Sequence, residues 1–104
     1  DAEMSIPENL DKDYIQRILS GLTEHEDEVT NIIREAINIS IEKVDLIELA
    51  TIQLACYEII YEKNIPVKVS INEATEICKR FGSVMSYKFI NGTLDSIAKR
   101  AQAL

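Results

Sequence analysis

Residues 46–62 read Leu46-Ile47-Glu48-Leu49-Ala50-Thr51-Ile52-Gln53-Leu54-Ala55-Cys56-Tyr57-Glu58-Ile59-Ile60-Tyr61-Glu62. The stretch holds no glycine and no proline. Wound at 3.6 residues per turn, its apolar side chains fall on most sides, and Glu48, Thr51, Glu58 and Glu62 gather on one narrow stripe. A surface helix carries a single apolar stripe, whereas a helix apolar almost all round is packed on several sides. The spacing therefore predicts a central, buried helix over about 46–62, with the polar stripe and Glu48 facing water. Asp45, Glu48, Gln53 and Glu58 interrupt the apolar run, so this is a core helix and not a membrane span.

The segments on either side read as further helices. Upstream, Tyr14, Ile15, Ile18, Leu19, Leu22, Val29, Ile32, Ile33, Ala36 and Ile37 recur on one face from about 10 to 37. Gly21 sits inside that run at some cost in propensity, and a short break is expected near it or between Thr23 and Asp27. A brief helical turn follows at 40–43, with Ser40 as its cap. Downstream, Lys63-Asn64-Ile65-Pro66 is a tight connection, and Pro66 suits the first position of the next helix. That helix points Val67, Ile71, Ala74, Cys78 and Phe81 at the core and stops at Gly82. Ser83 then caps a last helix facing inward through Ile90, Leu94, Ile97, Ala98 and Ala101. Residues 1–10, with Pro7 and Asn9, read as a tail or linker, and 11–104 as one domain. Leu54, Ile59, Ile71, Cys78 and Leu94 are the expected core. The fold class is all-α.

Composition agrees. The chain has 104 residues, 46% hydrophobic and 28% charged, with three glycines and two prolines. It is too apolar and too poor in breakers for a disordered chain. Cys56 and Cys78 belong to no metal or redox spacing and read as reduced, buried thiols of a cytoplasmic protein. The sequons at Asn38 and Asn91 are chance matches. Net charge is −7, unevenly placed: residues 1–62 hold 15 acids against 4 bases, and residues 63–104 hold 3 against 7. Such a split suggests two surfaces for two kinds of partner, although charge runs often serve only to solvate a face.

Motifs for chemistry are missing. The glycines are isolated, so no phosphate loop forms, and no serine or cysteine has a nucleophile motif around it. His25, the one histidine, lies in Glu24-His25-Glu26-Asp27-Glu28. Without a second histidine or a cysteine at ligand spacing it reads as an edge-of-core residue and not as a metal ligand. No cofactor, no metal site and no enzymatic activity are expected. Periodicity and composition by themselves stop at a helical interaction module.

The later half says more. Leu54-Ala55-Cys56-Tyr57-Glu58-Ile59-Ile60 is followed by Ile65-Pro66-Val67-Lys68-Val69-Ser70-Ile71-Asn72-Glu73-Ala74. Then come Lys79-Arg80-Phe81-Gly82 and Ser86-Tyr87-Lys88-Phe89-Ile90-Asn91-Gly92-Thr93-Leu94-Asp95-Ser96-Ile97-Ala98. In order and spacing, over about forty-five residues, this resembles the C-terminal half of the NusB family. Residues 12–50 match the family only in helical pattern. The resemblance implies a NusB-like helical bundle, with this chain supplying the later helices and without the family's arginine-rich upstream helix. It also implies a transcription antitermination adaptor that pairs with NusE, a small-subunit ribosomal protein, on boxA RNA. The assembly serves RNA polymerase in ribosomal RNA operons. Two other readings keep the fold: the RNA-binding module of a ribosomal RNA cytosine methyltransferase, and a helical module that binds only protein. The chain departs from the family pattern at Gln53, where an arginine is usual, at Met85, where an acid is common, and at Tyr87, in place of histidine.

Two sets of site residues follow. Lys79, Arg80, Ser86, Tyr87, Lys88 and Phe89 form a basic, partly aromatic patch for RNA, read mainly through phosphates, with the amides that open the last helix beside it. The plain alternative is a solvated surface with an ordinary pair between Asp95 and Lys99. Phe89 is expected to close the core; exposed, it would be a stacking platform. Glu42 and Glu48 match positions that face NusE in the family, and acids there suit a basic ribosomal protein. An exposed stripe on the first helix, near Leu22 and Val29, would favour self-association.

Overall fold

The computed structural model describes residues 12–81 and 86–103. Five α-helices and one short 3-10 turn follow one another, with no strand among the described residues. They are α1 (Lys12–Glu24), α2 (Glu26–Ala36), the turn Ile41–Lys43, α3 (Leu46–Tyr61), α4 (Val67–Phe81) and α5 (Ser86–Ala103). No described helix is long and apolar enough to cross a membrane. The expected tail at 1–10, and the stop and cap at Gly82 and Ser83, lie outside the described residues.

Helix α3 is the hub. It packs against each of the other four helices, and α4 and α5 also pack on each other. Ile52 and Cys56 on α3 are wholly buried, with Ile33 from α2, Cys78 from α4 and Ile90, Leu94 and Ile97 from α5. Each such aliphatic side chain contributes about 1.5–3 kcal/mol on leaving water. Of the expected core, Ile59, Cys78 and Leu94 are buried. Leu54 and Ile71 are only half-buried: Leu54 lines a notch between α3 and α4, and Ile71 packs on the outside of the core cluster.

The ends of the elements follow from their residues. The Asp45 carboxylate accepts from the amides of Ile47 at 3.1 Å and Glu48 at 3.4 Å and so caps α3. Ser40 occupies the cap position of the 3-10 turn but makes no capping bond; its hydroxyl instead donates to Glu42. Pro66 sits one residue before α4, and its carbonyl accepts from Val69 and Ser70. At the far end of α2 the Arg100 guanidinium donates to the Glu35 carbonyl at 2.8 Å. A cation there meets the negative end of the helix dipole.

The expected break in the first helical run falls at His25, between α1 and α2. The His25 ring stacks on Tyr61, with centroids 4.2 Å apart and planes 19° apart, and Tyr57 lies 5.0 Å from Tyr61. The Tyr61 hydroxyl donates to Glu28, and His25 Nδ1 is 3.5 Å from the same carboxylate. Arg17 reaches Glu62 at 3.0 Å. These contacts seat the α1–α2 corner on the last turns of α3. The sequence reading of His25 as an edge-of-core residue agrees with this setting.

Gly21 has a packing reason. A Cβ built on it would lie 2.0 Å from Tyr57 Oη and 2.3 Å from Cζ, and Tyr57 is buried. Alanine is the better helix former by about 1 kcal/mol, but forcing atoms into a filled core costs about 1–3 kcal/mol. Gly21→Ala should therefore lower the urea midpoint, whereas Ser20→Ala, at an exposed neighbour, should leave it level or raise it. Equal effects at both positions would show that the Tyr57 contact does not govern this site.

Burial pushes the Cys56 thiol from its ordinary 9.0 to about 12. Burial, then the hydrogen bond to Glu28, pushes the Tyr61 phenol from 10.0 to about 12. A raised folded-state pKa gives stability that is complete below the unfolded value and disappears as pH climbs through the folded one. Folding free energy should thus hold between pH 7 and 9 and fall from pH 9 toward 12. Cys56→Ala should flatten the first part of that decline in denaturation curves taken at successive pH values. An identical slope in the variant would clear the thiol as a cause.

Candidate functional site

The basic patch is built where α4 ends and α5 begins. Lys79 and Arg80 occupy the last turn of α4 and are exposed. The Lys79 ammonium lies 5.4 Å from the centroid of the Tyr87 ring and 3.6 Å from Glu76 Oε1. The structure thus brings together two of the sequence-chosen residues across the helix junction. A cation over a ring face is stabilised by about 0.5–1 kcal/mol at an exposed site. Lys88 is exposed, with no carboxylate within ion-pair distance among the described residues. Ser86 opens α5; its side chain lies outside the described residues. Phe89 is half-buried and packs against the core cluster, as expected of a residue that closes the bundle. Asp95 and Lys99 form the ordinary i,i+4 pair at 3.1 Å.

The acidic patch lies around the start of α3. Glu42 is exposed and pairs with Arg34 at 3.4 Å, an interaction that solvent screens to little net value. Glu48 is half-buried in the first turn of α3. Beside these acids stand three large aliphatics that the pattern of the central helix did not single out. Leu46 is 79% exposed, Ile39 50% and Ile47 41%. The sequence reading counted Leu46 and Ile47 among the apolar positions of a buried helix. In the first turn of α3 Leu49 packs against the core cluster, while Leu46 and Ile47 stay in water. Their chain position between Asp45 and Glu48 was the available signal.

The polar stripe of α3 was expected to face water. Instead Thr51 and Glu58 are buried, at 5% and 7% exposure, and Glu48 and Glu62 are half-buried. Both buried residues line a notch shared with Ser70 and Glu73 of α4. Gln53 is half-buried and lines an open groove of about 180 Å³ with Leu22, Thr23, Glu26 and Val29. On the first helical run Val29 is buried, Leu22 is half-buried and Leu19 is 58% exposed. The apolar stripe there is only partly open.

The two patches are neighbours. Helices α3 and α4 pack on each other and are joined by the short connection 62–66, so they run antiparallel. The start of α3 and the end of α4 therefore share one end of the bundle. That end presents exposed aliphatics, carboxylates and a cation–aromatic pair side by side. Among the described residues no group of three or more histidines, cysteines and carboxylates is arranged to hold a metal ion.

Known proteins resemble this chain along most of its length. The NusB family model matches residues 1–99. A transcription antitermination protein NusB of Shewanella denitrificans is 36% identical over 89% of this chain and 70% of its own. One of Pseudomonas fluorescens is 36% identical over 88% of this chain and 55% of its own. One of Fervidobacterium nodosum is 41% identical over 90% and 67%. The chain thus spans between about half and about two thirds of the length of these relatives. The structure of T. maritima NusB superposes with a TM-score of 0.81 at 34% identity, over 95% of this chain and 76% of that one. With five helices in the expected order, and the signature residues on α3 to α5, the chain belongs to the NusB family of transcription antitermination proteins.

Proposed function

We propose that the chain is a non-enzymatic antitermination adaptor that holds boxA-type RNA and a NusE-like ribosomal protein together for RNA polymerase. The observation that carries this reading is the shared end of the bundle, where an acid-edged apolar patch and a basic patch adjoin. Interfaces between proteins have an apolar centre and a polar rim. Ile39, Leu46 and Ile47 supply the centre, and Glu42, Asp45 and Glu48 the rim. Ribosomal proteins carry excess positive charge to meet RNA phosphates, so an acidic rim steers such a partner onto the patch. RNA bound along the α4–α5 junction would lie beside that partner and touch both. Lys79, Arg80, Lys88 and the opening amides of α5 would hold phosphates, and the Tyr87 ring would hold a base edge or face.

Charge reversal at the rim tests the protein side. Glu48→Lys should weaken binding to the NusE-like protein by about tenfold or more, equivalent to about 1.4 kcal/mol, in calorimetric titration. RNA binding by the free chain should be retained, since the change adds positive charge near the basic patch. Parallel loss of both activities would mean unfolding and would remove Glu48 from the partner surface.

The RNA side is tested at Lys88. A lysine meets phosphate and reads no base, so Lys88→Ala should weaken binding across many RNA sequences. The slope of affinity against salt should become shallower by about one counterion. Stability should change by less than about 0.5 kcal/mol at this exposed position. Gel-shift titrations of a boxA-like RNA at several salt concentrations, with and without the NusE-like protein, measure this. An unchanged affinity and slope would leave the patch as plain solvated surface.

A further inference from the structure

Ser70 lies in α4 where that helix crosses the buried polar stripe of α3. It is 1% exposed, and its Oγ has no hydrogen-bond partner among the described residues. Burying a hydroxyl unpaired costs about 1–3 kcal/mol, and native folds keep few such groups. The usual remedy in a helix is to donate to the carbonyl four residues back. Thr51 does so to Ile47 at 2.7 Å, and Thr75 to Ile71 at 2.8 Å. Ser70 is denied it. The Pro66 carbonyl already accepts two amides, from Val69 at 2.9 Å and from Ser70 itself at 3.3 Å. Both lone pairs of that oxygen are engaged, so the Ser70 hydroxyl must find its partner elsewhere.

The same side chain helps line a notch of about 30 Å³, framed by the apolar walls of Leu54 and Ile77 and the polar groups of Thr51, Glu58 and Glu73. A water molecule needs roughly 10–15 Å³ of such space and two to four polar partners. The notch meets both conditions and is too small for a side chain of another protein. Its chemistry is one-sided. The carboxylates of Glu58 and Glu73 on its wall are acceptors. An occupant must therefore bring hydrogens of its own, and water brings two while accepting one from Ser70. Two carboxylates on the wall exclude an anion.

We propose that this notch is a built site for one resident water molecule, which accepts from Ser70 Oγ and donates to the acceptors of α3, bridging α3 to α4. The water would then satisfy the one buried hydroxyl that has no partner among the described residues.

The test uses the full chain in solution and in crystals. Water-selective NOE and ROE spectra should show a long-lived water at the amide protons of residues 70 and 58. A crystal structure at high resolution should place an ordered water within hydrogen-bond distance of Ser70 Oγ. Ser70→Ala, folded by circular dichroism, should lose the NOE. The same variant should lose the ordered water or show it displaced. A dry notch in the wild type would overturn the proposal, as would a Ser70 hydroxyl turned onto a protein group. Cross-peaks that persist unchanged in Ser70→Ala would also overturn it, because Ser70 would then not be the group that holds the water.

Discussion

Helix α3 has no face that can be left to water along its middle turns, and the rest of the molecule is arranged to satisfy that demand. A helix about 10 Å across needs neighbours on several sides to bury such a circumference. Here α1, α2, α4 and α5 all pack on α3, and α5 also packs on α2 and α4. The wholly buried residues come from α2, α3, α4 and α5 together. At about 1.5–3 kcal/mol for each large aliphatic side chain, this burial outweighs every polar contact in the structure.

The polar contacts have another task. Arg34 with Glu42 and Lys99 with Asp95 are exposed pairs, worth about 0–1 kcal/mol each, and Arg17 meets the half-buried Glu62. Arg100 on the Glu35 carbonyl and the His25–Tyr61 stack join helices far apart in sequence. Their value lies in register: they select one seating of α1, α2 and α5 on a hub that would accept apolar surface in several orientations. Gly21 serves the same end, since only a residue without Cβ lets α1 come down onto the Tyr57 ring.

Not every turn of the hub is covered. The first turn of α3 leaves Leu46 and Ile47 in water between Asp45 and Glu48. Exposed aliphatics of this kind invite association, and the acids beside them favour a basic partner over another copy of the same acidic face. The end of α4 brings Lys79 to the Tyr87 ring close by. One end of one bundle thereby carries charges of both signs.

Much of this was legible in the residues. Helical period is a local property, so the helical runs, a break between Thr23 and Asp27 in the first of them and the central place of 46–62 could be read directly. The ordered signature in α3 to α5 likewise carried the family and its candidate residues. The depth of each side chain was not legible in the same way. Thr51 and Glu58 were placed on a wet stripe and are buried, and Leu46 and Ile47 were placed in a core and are exposed. Leu54 and Ile71 fall between. A sequence pattern states which face of a helix is apolar, because 3.6 residues per turn is set by the backbone itself. It does not state where along that helix a neighbour begins and ends. That is decided by how α1, α2, α4 and α5 cross α3, and only their packing determines which turns are covered and which are left for a partner.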